Sequence, residues 1–453
     1  MKKRYIIAGI FTGIILQSSH YVWLGDHKDY HFDLMILLII IICGYLLCLK
    51  LTSYMADFKN IKEKSRIEII FLTVFSIICI LPLLSISQEN KSNIENRTLA
   101  VYKPLINKDC RINKNFGKDF NDWFSDRFYL RNNLIIFNNN LQYFLSNNIF
   151  ITSKYIYDKK TNWTVAKNNL YPMQYNKNLL KQISDNFNLL NQYCDNKSIK
   201  LYILIVPTKS VIYPKETACG IYNKQITERI KEEQNVINYL KKNTDCNIIY
   251  PYSELLEGKK VDYVFFKSEH HWTDWGAYIG YKKLAKEIKN DFPDFNVISL
   301  TEYNKSTNKL VCADFHREFG IGQTINRMAI SKHIKKKAHK VLYNYYDNKN
   351  NKTLRCNINF DSMVKSYHYK NTNHLKIFSA GTSMNENLNR YLPYGAEDML
   401  YMRWNNVKGV KNSDTFKFYK RFDKKIAAYK PNIMVVCLTF DNLKNVPHLF
   451  DKE

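Results

Sequence analysis

Apolar residues fall in two regimes along the 453 residues of this chain. Up to about residue 88 they form long unbroken runs, at 5–16, 34–51 and 67–86. The second and third match the roughly 20 residues a helix needs to cross a bilayer. The first is short and follows Lys2-Lys3-Arg4, as a signal-peptide core would. No small-x-small cleavage pattern follows it and two further runs come next, so it reads as a short first span or signal anchor. Lys50, Lys59, Lys62, Lys64 and Arg66 crowd between the second and third runs, whereas Lys28 stands among Asp26, Asp29 and Asp33 between the first and second. The positive-inside rule then places the N-terminus and the 51–66 loop in the cytoplasm. The expectation is a multi-pass membrane anchor of about three transmembrane helices over 1–88, with the remainder extracytoplasmic.

Beyond the anchor the pattern changes period. Residues 87–115 are polar and read as a connector. Phe116, Phe120, Trp123, Phe124 and Phe128 recur at helical spacing, which predicts a helix over 116–140. From residue 177 amphipathic and continuously apolar segments alternate. The pattern predicts helices over 179–193, 224–242 and 274–290, the last with Thr273 as N-cap. It predicts strands over 200–206, 246–252, 376–379 and 432–439. Buried strands separated by helices imply an α/β fold with a parallel sheet covered on both faces. Ligands in such sheets bind at the carboxyl ends of the strands. Residues 304–372, rich in Asn and Lys, read as an inserted β-rich lobe or as loops.

The formal net charge is +26. It suits contact with polyanions such as acidic polysaccharides or anionic headgroups, and equally a Lys- and Asn-rich background composition. Charge spread over an outward-facing domain argues against nucleic-acid binding. Of the ten cysteines, Cys43, Cys48 and Cys79 lie in the apolar runs. The others show neither C-x-x-C pairing nor zinc spacing, so no metal site and no cofactor are expected. Cys219 and Cys246 are the candidate disulfide pair.

Chemistry concentrates in two stretches. Glu269-His270-His271-Trp272-Thr273 follows the strand-like run Val264-Phe265-Phe266. In an extended segment residues i and i+2 share a face, so Glu269 would hold one nitrogen of His271 and leave the other for a nucleophile. Lys376-Ile377-Phe378-Ser379-Ala380 runs into Gly381-Thr382-Ser383-Met384, a strand ending in Gly-x-Ser ahead of a helix, which exposes the serine at a corner beside helix N-terminal amides. Together these read as a serine acyl-transfer site: Ser383 nucleophile, His271 general base, Glu269 orienting carboxylate. Thr208 and Lys209, after the 200–206 strand, are candidate oxyanion-hole residues. Arg390, Tyr394 and Arg403 are candidates for holding an acidic sugar.

The Glu269-to-Thr273 stretch with Gly276-Ala277-Tyr278 resembles the Asp-x-His-Trp signature of the alginate O-acetyltransferase relatives, the DHHW proteins. Their domain is a circularly permuted SGNH-hydrolase-like fold. Glu95-Asn96-Arg97-Thr98-Leu99-Ala100, with Phe120, Trp123, Phe124, Asp126, Arg127, Phe128 and Arg131, is similar to that family's entry region. Val206-Pro207-Thr208-Lys209 through Ile212-Tyr213-Pro214 resembles its first core strand and loop, and Gly381-Thr382-Ser383 its Gly-Asp-Ser turn. The histidine preceding the serine in the chain is the order that permutation implies. Two positions depart from the pattern: Glu269 stands for the usual Asp, and Thr382 for the Asp of the nucleophile turn.

The resemblance implies that residues 89–150 form a connector and entry helices. It makes 151–453 an SGNH-hydrolase-like acetyltransferase domain. It also implies an O-acetyltransferase that modifies a cell-surface or exported polysaccharide through an acetyl-serine. A membrane-bound O-acyltransferase partner would deliver the acetyl group, because acetyl-CoA is cytoplasmic. Other readings of the same residues stay open. The triad serves a carbohydrate O-acetyl esterase equally well, and the two departures leave room for an inactive glycan-binding or export scaffold. Residue by residue, Ser383 also reads as an ordinary turn serine, His271 as a core histidine, Glu269 as a helix cap and Lys209 as a solvated loop lysine. Asp126 and Arg131 read as a structural ion pair, Trp272 as a buried aromatic beneath the site, and His270 as solvated.

Overall fold

The structure, a computed structural model, describes Phe71, Phe75 and residues 86–92, 97–106, 109–151, 155–161, 163–267, 270–309, 342–348, 354–359, 364–370, 373–404 and 422–449. Apart from Phe71, Phe75 and Ile86, the three apolar runs lie outside these residues. No helix among the described residues is long and apolar enough to cross a membrane. The chain divides between Leu141 and Gln142 into two compact units.

In the first unit β1 (Lys91–Ser92) pairs antiparallel with β2 (Arg97–Thr98). Helix α1 (Phe116–Arg127) presents Trp123 to Ile86, Ala100 and Tyr102. The single helix expected over 116–140 is two helices. Phe128 turns extended, Leu130 takes a left-handed φ of 61°, and α2 (Arg131–Leu145) starts afresh. Periodicity alone did not reveal the break, because Phe128 keeps the apolar spacing while leaving the helical backbone.

In the second unit β3 (Ile149–Ile151), β4 (Tyr155–Asp158) and β5 (Trp163–Ala166) form a small antiparallel sheet. Then come α3 (Lys177–Asp195), β6 (Lys200–Val206), α4 (Asn223–Asn243), β7 (Asn247–Ile249) and α5 (Asp274–Asp291). Strand β8 (Tyr303–Lys309) pairs antiparallel with β9 (Leu342–Asn348). After β10 (Leu354–Asn359) and β11 (Val364–Tyr369) follow β12 (Lys376–Gly381), the one-turn helix α6 (Asn385–Leu388), β13 (Asp398–Arg403), α7 (Lys424–Tyr429) and β14 (Ile433–Thr439).

The main sheet has the order β10-β11-β13-β12-β14-β6-β7. The five strands from β13 to β7 are mutually parallel, whereas β11 and β10 extend the β13 edge antiparallel. The expected parallel α/β sheet is therefore present. Part of the 304–372 stretch, read from the sequence as an inserted β-rich lobe or as loops, joins that sheet as β10 and β11.

Alternation along the strands explains the two-faced core. On β6, Tyr202, Leu204 and Val206 share one cluster with Ala277, Tyr281, Leu284, Ala285 and Ile288 of α5. Leu201, Ile203 and Ile205 share the other with Ile183, Phe187 and Leu190 of α3 and Val236, Ile237 and Leu240 of α4. Successive strand residues point to opposite faces, so an unbroken apolar strand requires helices on both. Each fully buried Leu or Ile contributes about 1.5–3 kcal/mol, and that burial fixes the strand ends on which the candidate site is built.

Candidate active site

Strand β12 is zipped into the sheet centre, with Gly381 level with Cys437 of β14 and with Arg403 of β13. The chain then turns sharply. The Thr382 amide donates to Cys437 O at 3.1 Å, and the Glu386 amide to Ser383 O at 3.1 Å. Ser383 is left half-buried at the carboxyl edge of the sheet. Inside the turn Asn385 Nδ2 donates to Ser379 Oγ at 2.7 Å. Tyr401, kept protonated by burial, donates to Thr382 O at 3.4 Å.

His271 arrives on an extended segment. Val264–Phe266 is not a strand of the main sheet. It is one arm of a hairpin, with Phe265 bridged to Trp272, the Phe266 amide donating to His271 O at 3.1 Å and the Thr273 amide to Val264 O at 2.9 Å. Three consecutive apolar residues cannot distinguish a central strand from a short buried hairpin arm. The hairpin passes directly into α5, and the expected N-cap is present: Thr273 Oγ1 accepts from the Gly276 amide at 3.1 Å.

The two segments meet at their reactive atoms. His271 Nε2 lies 2.7 Å from Ser383 Oγ, across 112 residues of sequence. Glu269 lies outside the described residues. His270 is exposed, its ring centroid 3.9 Å from that of His271.

Contacts that the sequence did not single out hold the segments together. Trp272 is fully buried, and its Nε1 donates to Met384 O at 2.9 Å. Asn387 Nδ2 donates to Trp272 O at 3.2 Å. Tyr391 Oη donates to Asp274 O at 3.0 Å. Arg390 Nε stands 3.0 Å from Asp274 Oδ1. Gly280 lets the indole lie flat under the site, since a Cβ there would stand 2.7 Å from Trp272 Cζ3. Of these residues, Trp272 is the one that the sequence marked as a buried aromatic beneath the site.

The remaining candidates are placed elsewhere. Thr208 is buried, its Oγ1 donating to Glu233 Oε1 at 2.6 Å. Lys209 is buried too, with Nζ donating to Thr164 O and to Lys267 O, both at 2.6 Å, and lying 4.9 Å over the Trp163 ring. It ties β5 to the start of the His271 hairpin, and its ammonium is engaged by those carbonyls. Both side chains are engaged by these contacts, which leaves a backbone amide of this loop as the oxyanion donor that the two positions could supply. Arg390 faces Asp274, as above. Tyr394 is only 3% exposed, its ring packed edge-on to Tyr369 and Tyr303, so it is withdrawn as a sugar contact. Arg403 Nη1 donates to Glu386 Oε1 at 2.9 Å, and Lys365 Nζ lies 3.7 Å from the same carboxylate.

Cys219 and Cys246 are both free, so the candidate disulfide is not formed. Among the described residues no group of three or more His, Cys, Asp or Glu could hold a metal ion.

Residues 160–338 match the family profile described as "SGNH hydrolase-like domain, acetyltransferase AlgX". The match includes His271 and ends before Ser383. No curated protein matches the sequence. Among solved structures, the chain is similar to a DHHW family protein from Eubacterium siraeum, with 12% identity, 68% of this chain and 99% of that chain covered, and a TM-score of 0.48. It is similar to Bacillus cereus PatB1 carrying a sulfonyl adduct, at 14% identity, 67% and 99% coverage and a TM-score of 0.47. It is also similar to Pseudomonas aeruginosa AlgX, at 14% identity, 61% and 60% coverage and a TM-score of 0.37. The resemblance to the alginate O-acetyltransferase and DHHW relatives, carried by the motifs, is borne out as a likeness: residues 160–338 match the SGNH hydrolase-like domain profile of acetyltransferase AlgX.

Proposed function

We propose that the protein is a serine-dependent O-acetyltransferase acting on a cell-surface or exported polysaccharide. The reading rests on one observation, the 2.7 Å approach of His271 Nε2 to Ser383 Oγ at the carboxyl edge of the sheet. That is the distance at which an imidazole takes a hydroxyl proton. The AlgX-type match over residues 160–338 adds support.

In the first half-reaction Ser383 Oγ attacks the acetyl carbonyl of a donor while His271 accepts the Oγ proton. The tetrahedral intermediate collapses, the donor's leaving group departs with that proton, and Ser383 carries an acetyl ester. In the second, a sugar hydroxyl attacks the ester carbonyl and loses its proton to His271. Ser383 then leaves, takes the proton back, and the sugar keeps the acetyl group. The Ser383 amide is the proposed oxyanion donor. Glu269 is proposed to orient His271. An extracytoplasmic placement and a membrane-bound O-acyltransferase as acetyl donor belong to the same proposal, motivated by the apolar runs of residues 1–88 and the cytoplasmic location of acetyl-CoA.

The test is intact-mass analysis of the full chain after incubation with p-nitrophenyl acetate, followed by addition of candidate oligosaccharides. One added acetyl, absent in Ser383→Ala and transferred to sugar, is the expected outcome. An adduct lost to water alone would make the protein an esterase. No adduct on folded protein would overturn the acyl-enzyme reading.

A further inference from the structure

The side chain of Asp274 is fully buried at the first turn of α5, three residues after His271. A buried carboxylate is costly unless a cation or donors face it. Favourable interaction with the helix N-terminus is typically worth under about 1 kcal/mol, too little to offset that burial alone. The cation beside it comes from the nucleophile segment. Arg390, seven residues after Ser383, brings Nε to 3.0 Å from Asp274 Oδ1, with its side chain 27% exposed. The next residue, Tyr391, is fully buried and donates to the main-chain oxygen of the same Asp274.

The pair therefore joins the segment carrying the base to the segment carrying the nucleophile. Trp272 forms the second joint, through Met384 and Asn387. Two joints at separated points fix both the distance and the rotation between segments, whereas one would leave a hinge. The hairpin bearing His271 has no ladder to the main sheet among the described residues. These side-chain joints tie the His271 segment directly to the Ser383 segment.

We propose that Arg390, through its ion pair with Asp274, is a positioning residue that holds His271 Nε2 on Ser383 Oγ, in place of a role in substrate binding. This rests on the acyl-transfer reading of the dyad for its consequence in rate, but its geometric content stands apart from that reading. Misplacing a catalytic group by about 1 Å costs on the order of 100-fold in rate.

The experiment uses the full chain as wild type, Arg390→Ala, Arg390→Lys and Ser383→Ala, with two readouts. The first is the Ser383 acylation rate with p-nitrophenyl acetate, as kcat and KM. The second is carbethoxylation of His271 by diethyl pyrocarbonate, read by peptide mass spectrometry as a ratio to exposed His270 on the same peptide. Arg390→Ala should lower kcat on the order of 100-fold with KM nearly unchanged. It should also raise the His271-to-His270 ratio toward that of Ser383→Ala. Arg390→Lys, which keeps the charge, should recover most of both. Where Arg390→Ala does not fold, partial loss and a partial rise in Arg390→Lys carry the same expectation.

Wild-type kcat and an unchanged ratio in the folded variants would overturn the proposal, as would a rise confined to KM, which would return Arg390 to substrate binding. If wild type forms no acyl-serine and the ratio still rises on removing Arg390, the positioning role stands and the acyl-transfer reading falls.

Discussion

Two polar clusters stand at the carboxyl ends of neighbouring strands, after β12 on one side and after β14 and β6 on the other, and they are built to opposite rules. In the first, Ser383 and His271 are half-buried and meet with His271 Nε2 2.7 Å from Ser383 Oγ. In the second, fully buried Glu233 accepts from Thr208 Oγ1 at 2.6 Å, Tyr250 Oη at 2.7 Å and Arg229 Nε at 3.0 Å. Arg229, also fully buried, is bonded to Asp441 and to Tyr171 O. Burial pushes the Glu233 carboxyl up against the pull of Arg229 and the two hydroxyls. The second cluster holds charge and is saturated with partners, whereas the first holds a nucleophile within reach of solvent. Chemistry needs a group that can change its partner during the reaction, so saturation is the mark of a strut and partial exposure the mark of a site.

The sharpest way to break the comparison is to remove one member from each cluster. Ser383→Ala should reduce acylation by at least about 1000-fold, or about 4 kcal/mol of transition-state stabilisation, with little change in unfolding free energy. His271→Ala should behave similarly. Arg229→Ala should do the reverse, costing about 3–5 kcal/mol of stability because it strands Glu233 as a buried unpaired carboxyl. The fraction that still folds should acylate near the wild-type rate. Denaturant unfolding and acetyl-adduct kinetics on the same samples separate the two. An Arg229→Ala protein of full stability, or a Ser383→Ala protein that still acylates, would dissolve the distinction.

The same comparison explains what the sequence could and could not disclose. The strands 200–206 and 376–379, the helix from Asp274 and its Thr273 cap were legible because local pattern and capping chemistry set them. The Ser383 turn and the His271 segment were legible as motifs, since each needs only neighbours in sequence. Thr208, Lys209, Arg390 and Tyr394 were not legible. Their position after strands or after the nucleophile is real, but their partners, Glu233, two carbonyls, Asp274 and the rings of Tyr303 and Tyr369, are distant in the chain. A charged or hydroxyl side chain looks equally reactive until its partner is known. Position along a strand fixes where a residue stands, and long-range packing decides whether it is free to react.

A smaller effect is expected where the nucleophile turn leaves the sheet. A Cβ at Gly381 would stand 2.6 Å from Cys437 O and 3.0 Å from Asn385 Cβ. The carbonyl belongs to the β14 ladder and cannot swing aside. Gly381→Ala should therefore separate β12 from β14, costing about 1–3 kcal/mol as overpacking does, and should slow acylation by tilting the turn. Loss of both stability and rate from one methyl would show that the site's geometry is set by the sheet beneath it. Loss of stability alone would mean that the turn adjusts independently.

The smallest effect belongs to the first unit, whose cluster around Asp126 extends the saturated class to a more exposed setting. Asp126, 8% exposed, is bonded by the Arg97 guanidinium and accepts from the Ala100 amide at 2.8 Å, with Arg131 Nη2 at 3.7 Å. The Arg97 hydrogen bonds, above all, hold its carboxyl well below the usual range, at about 2. A folded-state value below the unfolded one, near 3.9, means that the ionised pair stabilises the fold fully above pH about 4, and that this stabilisation is lost as pH falls through about 2. Arg97 is 39% exposed, so solvent screening reduces the contribution to about 1–2 kcal/mol. Asp126→Asn should lower the opening free energy of α1 by that amount at pH 6, read by amide hydrogen exchange. The gap from wild type should narrow between pH 4 and pH 2. A gap that stays constant across that range would mean that Asp126 stabilises the unit through shape and neutral hydrogen bonds alone, and saturation by charge would then describe only the fully buried cluster around Glu233.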